Sequence, residues 1–112
     1  MSATYNLVVP QATTYPFQFQ IKTDNVVWNL TGYSATMTVR PFLGSASTTL
    51  LATTANGKIV LDAINGRVSV TFSATDTNIK ANTYVYDLVL DSGSEVTRIL
   101  EGQFIVTAGV TV

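Results

Sequence analysis

Seven carboxylates, Asp24, Asp62, Asp76, Asp87, Asp91, Glu95 and Glu101, are the candidate proton-transfer groups of a chain that contains no His and no Cys. Acid–base catalysis needs two groups whose surroundings drive their pKa values apart. Several of the seven fall in turns or at strand ends, where water surrounds them alike. Without imidazole or thiol, the usual general base, the thiolate nucleophile, the disulfide and the His/Cys metal sites are all excluded. Asp91-Ser92-Gly93-Ser94-Glu95 places two carboxylates in one loop. Calcium takes about six to eight oxygens, and the spacing is not that of an EF-hand, so a solvated turn is expected. Asp87 has apolar neighbours and should lie either on an outer face or buried against Arg40, Arg67 or Arg98 as a structural ion pair. Asn29-Leu30-Thr31 matches the glycosylation acceptor pattern but reads as chance without a secretory leader. No catalytic, cofactor or metal site is expected.

Aromatic side chains remain as binding candidates. Trp28, Tyr5, Tyr15, Tyr33, Tyr84 and Tyr86 could stack on sugar rings, but most lie on alternating apolar stretches and are expected in the core. Only Trp28 and Tyr33, next to turns, are placed to face a ligand.

The elements that must position these residues are strands. The 112 residues fit one domain spanning 1–112. Hydrophobic residues are 46% and charged residues 12% of the chain, about half the usual charged share. Net charge is −1, without the basic excess that phosphate backbones demand, so nucleic acid is not an expected partner. Apolar runs break within a few residues, far short of a membrane span. Met1 to Tyr5 offers neither the basic flank nor the apolar core of a secretory signal, so synthesis in a cytoplasm is expected.

The period is two. Tyr15, Phe17, Phe19 and Ile21 alternate with polar residues, and Thr23-Asp24-Asn25 then turns the chain toward Val26 to Leu30, predicting a hairpin. Ala35, Met37 and Val39 share a face until Pro41 removes a ladder donor. Gly44 to Thr49 reads as an exposed loop. Asn65-Gly66, between Ile59–Asp62 and Arg67–Phe72, predicts a two-residue type I′ hairpin; Asn56-Gly57 turns a loop. Ser73-Ala74-Thr75-Asp76 has the spacing of a capping box and supports one helical turn at most. Tyr84 to Leu90 and Glu95 to Leu100 form a further hairpin, and Gly102 marks a bulge or a close backbone approach. Tyr84 is either the tyrosine corner of a Greek-key sandwich or simply a large strand residue on the core face. Eight or nine short strands and no long helix predict an all-β antiparallel sandwich. Its core should combine Tyr15, Phe17, Phe19, Ile21, Met37, Val39, Val68, Val70, Phe72, Tyr86 and Leu88.

The segments Trp28-Asn29-Leu30-Thr31-Gly32-Tyr33, Val39-Arg40, Asn65-Gly66-Arg67-Val68, Tyr84-Val85-Tyr86-Asp87-Leu88 and Leu100-Glu101-Gly102-Gln103-Phe104, with Val110-Thr111, carry a resemblance in their order and spacing. From about Leu7 to Thr111 the chain resembles small virion proteins of tailed bacteriophages, similar to the immunoglobulin-like N-terminal domain of phage baseplate upper proteins. The resemblance implies an immunoglobulin-like sandwich that is a fixed, non-enzymatic part of a virus particle, in a tail, a baseplate or on the capsid surface.

A surface of Thr, Ser, Asn and Gln with little charge does not prevent sheet edges from associating, which fits assembly with other virion proteins and with copies of the same chain as a homo-oligomer. The terminal segments are apolar and lack edge-protecting Lys. Tyr5, Leu7, Val9, Phe104, Val106, Val110 and Val112 are therefore the candidate assembly contacts. Two other classes stay open: a carbohydrate-binding module, which would show an exposed aromatic row, and an extracellular adhesion domain.

Overall fold

A computed structural model describes residues 3 to 109, and within them the chain forms strands and turns without a helix. The strands are β1 (Ala3–Thr4), β2 (Leu7–Pro10), β3 (Tyr15–Gln20), β4 (Lys22–Thr23), β5 (Val26–Val27), β6 (Ser34–Arg40), β7 (Leu50–Thr53), β8 (Ile59–Asp62), β9 (Arg67–Phe72), β10 (Asn82–Asp91) and β11 (Val96–Thr107). The larger sheet runs β11-β10-β6-β7, with β1 and β2 both parallel to β11 on its far side. The smaller sheet runs β3-β9-β8, and β4 and β5 form a separate short hairpin.

This strand order is that of an immunoglobulin-like sandwich, in which one sheet carries the second, fifth and fourth strands and the other the third, sixth and seventh. The usual arrangement also sets a first strand beside the second. Here the N-terminal segment lies on β11 instead, and among the described residues nothing pairs with β3 opposite β9.

The core sits between the sheets because alternation sends one side chain in two inward. Met37, Val39, Val68, Val70, Phe72, Tyr86 and Leu88 are buried as expected, and Leu7, Val9, Phe104 and Val106 join them. Phe72 and Phe104 meet edge to face across the core, with ring centroids 5.6 Å apart at 81°. Tyr15, Phe17, Phe19 and Ile21 face inward as expected but are only half-buried. They pack against the core but stay partly open to solvent because β3 is an edge strand, with no strand among the described residues to cover that side.

The turns follow local chemistry. Asp24 and Asn25 both take positive φ, 52° and 63°, and close the β4–β5 hairpin. That hairpin ends at Val27 rather than continuing to Leu30. At Asn65-Gly66 the expected two-residue turn is instead a four-residue loop, since Asp62 pairs with Arg67 and the Gly66 amide donates to the Ala63 carbonyl at 3.3 Å. Only Gly66 takes positive φ (60°). A Cβ there would meet the Trp28 carbonyl at 2.6 Å, so the glycine also seats the loop against the preceding hairpin. Ser73 and Asp76 make the reciprocal capping bonds, at 3.0 and 3.1 Å, around a single turn. The bulge in β11 lies at Ile99, between the pairs Leu88–Leu100 and Val89–Arg98, whereas Gly102 is the site of a close backbone approach by Tyr5.

Tyr84 makes the tyrosine corner: its hydroxyl donates to the Lys80 carbonyl at 2.7 Å, tying the preceding loop to β10. Tyr84→Phe is expected to lose about 1 kcal/mol, the net worth of one hydrogen bond, measured as a lower urea midpoint. An unchanged midpoint would show that the ring alone holds the corner. Thr77 performs a similar tie on the other side. Its buried hydroxyl donates to the Thr13 carbonyl at 2.6 Å and accepts the Thr13 amide at 2.9 Å.

Candidate functional site

The displacement of the first strand to β11 leaves the sandwich open along one seam. A groove of about 880 Å³ runs between β3 and the β1/β11 side of the larger sheet. Tyr15, Phe17, Phe19 and Ile21 form one wall, and Ile99 and Leu100 face them. The Phe17 and Phe19 rings lie nearly parallel, 14° apart with centroids at 6.4 Å, so they present an aromatic row along the opening. Gln18, Gln20 and Thr23 rim it, with one cation, Lys22, and one anion, Asp24.

Trp28 belongs to this groove. It is half-buried, and its indole N–H donates to the Thr23 hydroxyl at 2.7 Å, which fixes the ring against the β4–β5 hairpin. Tyr33 is also half-buried but packs against the core elsewhere, so the two aromatics expected to face a ligand are not brought together.

Of the expected assembly contacts, Tyr5 is exposed and lines the groove. Leu7, Val9, Phe104 and Val106 are not surface contacts: all four are buried. The reason is that the two terminal segments pair with each other. Leu7 is in register with Phe104 and Val9 with Val106, which completes the larger sheet and turns these side chains inward. Val110 and Val112 lie outside the described residues. Conversely, alternation alone places the groove's aromatic wall in the core. The signal for its exposure is Pro16, because a proline within a strand places that strand at an edge.

Several of the charged side chains are tied into local ion pairs and loop contacts. Asp87 pairs with Arg98, at 3.2 Å, on the outer face of the larger sheet. Arg40 donates to the Ser45 carbonyl at 3.1 Å, which pins the β6–β7 loop. Burial alone would raise the pKa of Asp76, but hydrogen bonds from Lys58 and Ser73 and the Lys58 charge outweigh it and hold the carboxyl below its ordinary value. Among the described residues no three His, Cys, Asp or Glu side chains gather as a metal site. In the Asp91–Glu95 loop, the Asp91 carboxylate accepts the Gly93 amide at 2.8 Å, as in a simple Asx turn.

Tyr5, which lines the groove, is tied to the core from behind: the hydroxyl of the buried Tyr86 donates to the Tyr5 carbonyl at 2.6 Å. Burial, together with the nearby Tyr5 and Tyr15 hydroxyls, pushes the Tyr86 pKa up to about 12. Burial likewise raises Tyr15, with Tyr5 adding to it. The folded form therefore holds the Tyr86 proton where the unfolded chain, with an ordinary value of 10.0, releases it. Stability from this group is complete below pH 10 and should fall as pH rises from 10.0 toward about 12. Chemical denaturation across that window checks this, and Tyr86→Phe should flatten the decline.

No family model matches the chain, and no curated protein matches it. Among solved structures it is similar to extracellular domains 3–5 of Drosophila OTK, at 12% identity and a TM-score of 0.36, over 92% of this chain and 32% of that one. Among the described residues no helix is long and apolar enough to cross a membrane.

Proposed function

We propose that this protein is a non-enzymatic structural subunit of a tailed-phage virion, in the tail or baseplate or decorating the capsid, and that it acts through contacts with other virion proteins and with copies of itself. The observation that carries the assembly role is the open groove. A sparsely charged sandwich that leaves an aromatic wall half in solvent has built a surface whose free energy falls when another protein covers it. The rest of the surface supports the same reading. Phe42 (63% exposed) and Leu43 (90%) project from the β6–β7 loop, and only 12% of residues are charged. The particular setting in a phage particle rests on the resemblance of the segments from Trp28 to Thr111 to phage virion proteins.

The test is to separate capsids from tails of purified particles and detect the chain by mass spectrometry. It should accompany one fraction in fixed proportion to the major proteins. Absence from both overturns the proposal. A carbohydrate-binding or host-adhesion role is the second reading, favoured by the aromatic row and Trp28 beside polar rim residues. It calls for Trp28 fluorescence to shift on titration with host surface glycans, and Trp28→Ala to abolish that binding while leaving incorporation intact.

A further inference from the structure

We propose that the free edge of β3 pairs antiparallel with β3 of a second copy, about a two-fold axis passing beside Phe19. The inference goes beyond the virion role, since it fixes a partner and a register.

The backbone geometry identifies the edge. The Ile21 amide donates to the Gly66 carbonyl at the head of β9, at 2.8 Å. Backbone polar groups alternate sides along an antiparallel strand, so those of Tyr15, Phe17 and Phe19 also face β9. Those of Pro16, Gln18 and Gln20 face outward, where β3 has no strand among the described residues.

The edges at β7 and β8 are guarded, and the edge at β1 and β2 is broken into two short strands of two and four residues. On β7, the Asn56 side chain imitates a neighbouring strand: its oxygen accepts the Thr53 amide at 3.0 Å and its Nδ2 donates to the Leu51 carbonyl at 3.1 Å. β8 has four residues and ends in the charged Asp62. β3 has six residues, no charge and an apolar inner face. Its single protective device is Pro16, which lacks an N–H and whose ring would obstruct a strand laid directly against it.

That proline selects the register. Outward-facing groups must meet outward-facing groups, so even-numbered residues pair with even-numbered ones. Setting Gln18 opposite Gln20 of the mate, and Gln20 opposite Gln18, forms four N–H···O=C bonds and leaves Pro16 just beyond them, level with the point where the mate's chain passes from β3 into β4 at Lys22. In this register Phe19 faces its own mate and Phe17 faces Ile21 on the inner side, so apolar meets apolar. Glutamines meet glutamines on the outer side. The two open grooves then adjoin and cover each other. The edge is thus self-complementary in hydrogen bonding, in hydrophobicity and in its lack of charge, which is what an isologous contact requires.

Sedimentation velocity on the intact chain over roughly a hundredfold range of concentration should show a monomer–dimer equilibrium. Gln18→Glu with Gln20→Glu puts like charges directly opposite and should weaken the dimer at least about tenfold. Gln18→Glu with Gln20→Lys puts each Glu opposite a Lys and should dimerise as well as the parent. Both side chains are exposed and make one surface hydrogen bond each, Gln18 to the Ser69 hydroxyl and Gln20 to the Asn65 carbonyl, both at 2.8 Å, so circular dichroism should keep the parent's strand signal in both variants. As an independent measurement, the chain has no cysteine, and Gln18→Cys with Gln20→Cys should give a disulfide-linked dimer on oxidation. A parent that stays monomeric throughout, a Glu/Lys variant as weak as the Glu/Glu one, or failure to cross-link overturns the proposal. A protein that dimerises in this way but is absent from particles contradicts only the virion role. One found in particles without this dimer contradicts only the pairing.

Discussion

Replacing Phe72 with Ala is expected to cost about 3–5 kcal/mol, much of the stability of a domain this size, measured by urea denaturation. Phe72 is fully buried, packs edge to face on Phe104 and joins the two sheets, so its removal leaves a cavity with rigid walls on both sides. Phe19→Ala should cost markedly less. Its ring stands in the groove wall with part of its surface already in water, and water fills the space it vacates. Equal losses at the two positions would mean that the seam is closed in the isolated protein.

The second large effect is expected at Gly102. Gly102 faces Tyr86 on β10, and a Cβ built on it collides with the Tyr5 backbone carbonyl. That carbonyl accepts the Tyr86 hydroxyl, while the Tyr5 amide donates to the Glu101 carbonyl at 2.8 Å and the Asn6 side chain accepts the Gln103 amide at 3.0 Å. Backbone cannot retreat as a flexible side chain can. Gly102→Ala should therefore push the Tyr5–Asn6 segment off β11 at a cost of about 1–3 kcal/mol, the usual range for overpacking. Hydrogen exchange would register it as lost protection at Leu7 and Val9, with the amides of β9 little changed. Full protection at β2 would show that the strand pair slides to make room.

Much of this architecture could be read from side-chain alternation. Arg67–Phe72 and Tyr84–Leu90 fold as read, and the tyrosine corner was one of two open readings of Tyr84. What alternation encodes is the face a residue takes, and it says nothing of whether another strand covers that face. Alternation therefore places Tyr15, Phe17 and Phe19 on the core side but does not show that they line an open seam. The pairing of Leu7 with Phe104 was illegible for a different reason. It joins residues nearly a chain length apart, and each segment alone looks like an unprotected edge seeking an outside partner. At Asn65-Gly66 the dipeptide marked the turn but not its length, which is set by Gly66 seating under the Trp28 carbonyl rather than by local propensity.

The parallel run of β2 beside β11 has a mechanical consequence. Ala3 is level with Leu100 and Pro10 with Thr107, so the chain enters the sandwich at one pole and the last strand leaves it at the other, about 23 Å away along the strand direction. Tension applied between residues 3 and 107 pulls these two strands lengthwise in opposite senses. Every rung between them is then strained together, and none can fail singly in sequence as in a peeled hairpin. The N-terminal segment acts as a shear clamp, and traction through the ends must break it before the core between the sheets feels any load.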